Sequence, residues 1–310
     1  MLKIGNVQLN NKFILAPMAG YTDVAFRRLC KDYGAGLTVT EMVSVKGLLY
    51  SGKKTEELLV RAYNEDVCAV QLFGSNPYEF EKVITENEKL KDFEIIDINM
   101  GCPVPKVTRQ GEGSALMTTP EKAGEIIQAC KRATSRPVTV KFRLGWDENV
   151  SVDFAKRMQD CGADAITVHG RTAVQQYRGE SDVNAVLDIK NRVNIPLIIS
   201  GDANEFNLAK YESADGIMVG RGALGHPDVF AIVQNGKADD IYSMIKKHIE
   251  YMQTYFNSER YVVANMRKHY AYYLKRAKIR AEMRNKVNLA STYDILFPLI
   301  EEIFENKKEE

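Results

Sequence analysis

Cys102 stands between Gly101 and Pro103, a setting that no helix face provides, so its thiol rides on a loop. An unperturbed thiol has a pKa of about 8.5, so at neutral pH it is mostly protonated and can deliver a proton as a general acid. Taken by itself, Cys102 reads equally well as a passive buried thiol. Cys30, Cys130 and Cys161 sit in helical patterns and Cys68 in a strand-like run, where a small core hydrophobe is the ordinary identity. No CxxC pair occurs and no histidines have metal-ligand spacing, so no metal site is expected and a reducing compartment fits.

Lys141 interrupts an apolar run, where an ammonium is costly unless it is paired or presented to a ligand. A carboxylate such as Glu41 or Asp97 is one suitable partner. A flavin is another, because its reduced ring carries negative charge at N1 and O2, and the neutral amide Gln71 can bond the pyrimidine edge of such a ring. Ser200-Gly201-Asp202 and Gly220-Arg221-Gly222 follow two later runs and suit a phosphate held on backbone amides, or they are simple turn glycines. His169 reads as a general base, a phosphate contact or a core histidine, and neighbouring Arg171 favours anion contact.

These residues fall at the ends of eight short apolar runs. The runs are Phe13 to Ala16, Leu37 to Val39, Val67 to Leu72, Ile95 to Ile98, Val138 to Phe142, Ala165 to Val168, Pro196 to Ile199 and Gly216 to Val219. Amphipathic stretches separate them: Asp23 to Tyr33, Pro77 to Leu90, Pro120 to Thr134, Ser151 to Cys161, Val183 to Arg192 and Glu205 to Tyr211. Asn76-Pro77 and Thr119-Pro120 each offer an N-cap followed by Pro at the first helical position. Alternating β and α units in this number predict a (β/α)8 TIM barrel, in which chemistry gathers at the C-terminal strand ends. No strand-like run follows Gln234-Asn235-Gly236-Lys237. An α/β barrel over residues 1–236 and an all-helical domain over 237–310 are therefore expected, with a fraying charged end from Asn306 to Glu310.

The 310 residues carry 42 Lys and Arg against 41 Asp and Glu, so no global charge marks a nucleic-acid binder. A local one exists. Residues 259–288 hold nine basic side chains against two acidic, with Tyr261, Tyr270, Tyr272 and Tyr273 interleaved. That pattern suits phosphate neutralisation with stacking, or a solvated helix face over core tyrosines. No basic, apolar leader opens the chain and no 18-residue apolar run crosses a bilayer, so a cytoplasmic location is expected; separately, a monomer is expected.

Several segments together carry a resemblance: Ala16-Pro17-Met18-Ala19, Asn99-Met100-Gly101-Cys102-Pro103, Lys106 with Gly113-Ser114-Ala115-Leu116, and Val140-Lys141-Phe142-Arg143-Leu144-Gly145-Trp146. It continues in His169-Gly170-Arg171-Thr172, Gln176-Tyr177, Gly179, Gly220-Arg221-Gly222, Met266-Arg267-Lys268-His269 and Leu274-Lys275. The chain resembles the tRNA-dihydrouridine synthases, nearest the bacterial form, over almost its whole length. The resemblance implies an FMN-binding barrel with a helical domain that reduces uracil C5=C6 in folded tRNA with NADPH, or NADH. It implies flavin contacts at Ala16, Pro17, Met18, Gln71 and Lys141, and ribityl and phosphate contacts at His169, Ser200, Gly201, Asp202, Gly220 and Arg221. Cys102 is the implied acid. RNA contact is expected at Asn99, Lys106, Arg143, Arg171, Tyr177, Arg267, Lys268, Arg276, Lys278 and Arg280. Two departures stand out: Ser200 replaces a common Asn, and Arg276 to Arg280 replaces the usual Gly-Leu-Pro after Tyr-Leu-Lys. The buried target base must be flipped out of the RNA. Rival readings are reduction of ribosomal RNA, a reductase of a free pyrimidine, which has no use for a basic helical domain, and a catalytically idle RNA-binding protein.

Overall fold

A computed structural model describes residues 1–50 and 52–306; the end from 307 to 310, expected to fray, lies outside the described residues. An antiparallel hairpin of β1 (Lys3–Ile4) and β2 (Val7–Gln8) opens the chain. Ile4 of this hairpin and the flanking Leu2 and Leu9 pack against the N-terminal strand ends at Leu37, Ile95 and Ala165, closing that mouth.

All eight apolar runs become barrel strands: β3 (Phe13–Leu15), β4 (Leu37–Val39), then, after the short β5 (Val43–Ser44), β6 (Cys68–Phe73) and β7 (Ile95–Met100). The remainder are β8 (Val138–Arg143), β9 (Ala165–His169), β10 (Leu197–Ser200) and β11 (Gly216–Val219). Neighbours pair in parallel around the ring, and the β3–β11 and β4–β6 pairings close it. Parallel strands need a crossover between them, which is why most runs are followed by helix.

Period two divides each strand. Ile96, Ile98 and Met100 of β7 and Val138, Val140 and Phe142 of β8 join the core beneath the helices, with Ile126, Ile127 and Phe154. The alternate residues Asp97, Asn99, Thr139, Lys141 and Arg143 stand on the other face and supply the polar interior. Register then sets them side by side, with Gln71 opposite Asp97 and Asn99 opposite Lys141.

Helix starts follow their signals. The Asn76 side chain accepts from the Tyr78 amide with Pro77 in the first turn, whereas Thr119 makes no side-chain cap. The stretch Glu205 to Tyr211 is not an α-helix. Only a 3₁₀ turn forms at Leu208–Tyr211, because the Asn204 and Asn207 amides donate back to the Asp202 carbonyl and compete with helical bonding. Likewise Val183 to Arg192 shortens to a helix at Val183–Leu187.

Gly236, at φ +71°, ends helix Val229–Asn235. Helices Ile241–Tyr255, Glu259–Arg276, Ala281–Leu289 and Tyr293–Asn306 follow and share a core of Met244, Met252, Met266, Tyr270, Leu296 and Ile300. Ala25 and Leu29 of helix Val24–Asp32 enter the same core, so this barrel helix is the seat for the C-terminal helices. Gly225 completes the docking: at φ +66° it lies so close that an added Cβ would meet the Tyr272 carbonyl carbon at 2.5 Å.

Candidate active site

The C-terminal strand ends surround two cavities that share Pro17, Met18, Lys141, His169, Tyr177 and Arg221. The first, of about 550 Å³, is walled by Gln71, Asn99, Cys102, Arg143 and Tyr272. The second, of about 380 Å³, is walled by Ala16, Ser200, Gly201, Asp202 and Gly220. Both sizes are those of ligand sites.

Cys102 is half-buried on the loop after β7. Its amide donates to Asn99 Oδ1 at 3.0 Å, and its carbonyl accepts from the Ser114 amide and hydroxyl, each at 3.0 Å. Gly113 is required there, since at φ +60° its missing Cβ would sit 2.7 Å from the Cys102 carbonyl. Burial pushes the thiol up, against smaller opposing effects of the Val104 amide, Arg143 and Lys141. The group is therefore a protonated thiol at neutral pH, fixed at its backbone on both sides.

Lys141 has no hydrogen bond or ion pair among the described residues, so the carboxylate pair with Glu41 or Asp97 does not form. Burial, and then Arg143, push its ammonium down to about 8 against the attraction of Asp97. A positive group held this way lacks its counter-charge. The Gln71 amide donates to Asp97 at 2.7 Å and accepts from Asn99 at 2.8 Å.

At the second cavity, Asp202 gathers two cations: Arg171 at 2.5 Å and Arg221 at 2.8 Å. Its carboxyl lies below the usual range because the Arg171 hydrogen bond and the Ser181 amide outweigh burial. Burial first, then Lys141, Arg143, Arg171 and Arg221, hold the His169 imidazole well below its ordinary value, so it is neutral. Gly220 lines the same cavity, and a Cβ added there would touch the Ala16 side chain at 3.5 Å and the Met18 sulfur at 3.7 Å. Donors and excess positive charge thus gather at one end, and the neutral thiol lies at the other.

Four residues expected to contact RNA also hold internal partners. Arg171, 1% exposed, spends its guanidinium on Asp202 and the Arg178 and Gly179 carbonyls. Arg143, also buried, ties the Gly101 carbonyl to those of Thr172 and Gln176. Asn99 caps the Cys102 loop. Arg276 pairs with the fully buried Asp228 at 2.7 Å and so clamps the C-terminal helices to the barrel. By contrast, Lys106, Arg267, Lys278, Arg280 and Tyr177 are exposed, and Lys268 lies 5.7 Å over the Tyr21 ring. Sequence reasoning missed Tyr21 and Thr139; it weighed Asp97 only as a partner for Lys141, and Tyr272 only within the basic helical segment, not as a wall of this cavity. Thr139 was detectable as a polar residue at an alternate position of an apolar run; nothing local marked Tyr21.

The family model for dihydrouridine synthase matches residues 14–307. The chain belongs to the dihydrouridine synthase family. This synthase is accordingly an enzyme, a flavin-dependent oxidoreductase. It is 36% identical to the Vibrio vulnificus tRNA-dihydrouridine synthase B over 98% of this chain and 99% of that protein. It is 38% identical to a probable tRNA-dihydrouridine synthase of Rickettsia conorii, covering 93% of this chain and 92% of that one. Among solved structures, a variant of NCR from Zymomonas mobilis superposes with a TM-score of 0.55 at 15% identity, covering 81% of the synthase and 97% of that chain. Morphinone reductase in complex with tetrahydroNAD does so at 0.52 and 12% identity, covering 77% and 90%. At such identities the likeness is one of fold. No helix among the described residues is long and apolar enough to cross a membrane.

Proposed function

We propose that the protein reduces the C5=C6 bond of uridines in folded tRNA, with FMN as its flavin, NADPH or NADH as reductant and Cys102 as proton donor. The observation that carries this reading is the pairing of a protonated, backbone-fixed thiol with an uncompensated ammonium across one cavity. The residues fit a flavin. Lys141 faces the negative charge that a reduced ring would bring, and Gln71 retains one free amide hydrogen for its pyrimidine edge. His169, Ser200, Gly201, Gly220 and Arg221 line the cavity for the ribityl and phosphate groups, with Asp202 orienting Arg221.

When bound, the flavin supplies hydride to the uracil ring. Everything else falls to the chain. The Cys102 thiol holds the proton destined for C5, and burial keeps that proton in place at neutral pH. The walls of the cavity exclude water from the reacting carbons. Lys106, Tyr177, Arg267, Lys268, Lys278 and Arg280 offer the surface for RNA phosphates and sugars, and residues 237–310 act as the RNA-binding domain.

The test separates two half-reactions. Cys102→Ala should bind FMN and be reduced by NADPH at near-parental rate, yet lose RNA-dependent flavin reoxidation by about 10²- to 10⁴-fold, the usual worth of a general acid. Anaerobic stopped-flow absorbance reads both steps. Reoxidation at the parental rate would place the proton donor elsewhere.

A further inference from the structure

Inside the barrel a single hydrogen-bonded chain runs from strand β8 to the Cys102 loop. The Thr139 hydroxyl donates to Asp97 Oδ1 at 2.6 Å, and Gln71 Nε2 donates to Asp97 Oδ2 at 2.7 Å. Asn99 Nδ2 donates to Gln71 Oε1 at 2.8 Å, and Asn99 Oδ1 accepts from the Gly101 and Cys102 amides at 3.1 and 3.0 Å. Asp97, Gln71, Asn99 and Thr139 are all buried.

The chain has a direction. A backbone N–H can only donate and a carboxylate can only accept, so the two ends dictate which way each amide between them points. If Gln71 turned over, Asn99 would have to turn with it and would then present its NH2 to two amide hydrogens. The Cys102 loop would lose its acceptor. Buried amides find no water to replace a lost partner, whereas the half-buried loop can be hydrated, so the loop is the place where a reversal is expressed.

We propose that Asp97 is a positioning residue, which sets the polarity of the Gln71–Asn99 relay and thereby holds the loop that carries Cys102. The proposal rests on the reading of Cys102 as proton donor only for its catalytic consequence; the loop geometry is testable without it. Thr139 is the partner that allows a discriminating experiment, because a hydroxyl can either donate or accept. In Asp97→Asn, the new NH2 can face Thr139 and leave the oxygen to Gln71, which preserves the relay. In Thr139→Val, the carboxylate still accepts from Gln71. With both changes together, the NH2 introduced at position 97 has a methyl group before it. It is satisfied only by turning to Gln71 Oε1, and this reverses the relay.

Each single variant of the flavin-loaded enzyme should stay within about 3-fold of the parent, while the double variant departs by about 10-fold more than the product of the singles, as expected of residues in one network. Two rates are read: alkylation of the Cys102 thiol by iodoacetamide without RNA, which should rise, and RNA-dependent flavin reoxidation at saturating tRNA, which should fall. Asp97→Asn with Thr139→Ser restores a hydroxyl and should return both to parental values. Multiplicative behaviour of the two changes overturns the relay. Synergy in alkylation with undiminished reoxidation overturns the positioning role, and Cys102→Ala tests the proton donor separately. Should the double variant fail to fold, Asn99→Leu, which removes the loop's acceptor directly, must raise alkylation by a similar factor; if it does not, the proposal is wrong.

Discussion

Replacing Lys141 by methionine should stabilise the flavin-free protein at neutral pH, although it removes a residue proposed to contact the flavin. The ammonium lies inside the barrel and makes no ion pair among the described residues, and burial pushes its pKa from 10.5 down to about 8. At about 1.4 kcal/mol per pH unit, this amounts to about 3 kcal/mol against the folded state, an upper value because water in the cavity screens part of it. Between pH 8 and 10.5 the unfolded chain holds the proton that the folded chain has released, so parental stability rises with pH across this window. Below pH 8 the whole penalty is present. Urea unfolding of flavin-free Lys141→Met and parent at several pH values from 7 to 10.5 isolates the effect, since other titrations cancel in the difference. The variant should lead by about 2 to 3 kcal/mol at pH 7, and its lead should shrink by that amount towards pH 10.5. A parent–variant difference that does not change with pH would refute the reasoning. With flavin bound, the same substitution should slow turnover more than it affects folding, because the counter-charge for the reduced ring is gone.

The affinity for tRNA should fall steeply with salt, and Lys278→Ala with Arg280→Ala should reduce the slope of log K against log salt by about two, measured by filter binding. An unchanged slope would make this segment a merely solvated face. Arg276→Met should leave that slope alone and instead cost about 2 to 3 kcal/mol in urea unfolding, because it strips one partner from the fully buried Asp228 while His226 remains. The His248 and His269 rings lie 4.5 Å apart in the C-terminal core, with burial pushing His248 down to about 3 and His269 well below its usual value. The unfolded chain binds these protons first, so stability should fall as pH drops from 6.5 towards 3; His269→Phe should flatten that fall in acid titrations followed by circular dichroism. Cys30→Ala and Cys130→Ala should lower the melting temperature and leave flavin reduction untouched, since both thiols lie in the packed core.

The sequence by itself determined the parts whose information is local. Eight short apolar runs, most of them rich in β-branched residues and separated by amphipathic stretches, can bury their two faces only as a parallel sheet wrapped in helices, so the barrel was legible from Phe13 to Val219. So were the loop position of Cys102 and the polar or glycine-rich ends of nearly every strand. Tertiary structure decided what each polar group does. A guanidinium reads the same in sequence whether it meets an RNA phosphate or an internal carboxylate, and only the closure of the ring brings Arg171 to Asp202, Arg143 to the Gly101 carbonyl and Arg276 to Asp228. The absence of a partner for Lys141 is likewise a property of the closed barrel, in which Asp97 is already taken by Gln71 and Thr139. Tyr272 reaches the cavity solely because Gly225 lets a helix from much later in the chain sit against the barrel. Hydrophobic periodicity states which face is buried but not against what, and the pairing of distant elements supplies the rest.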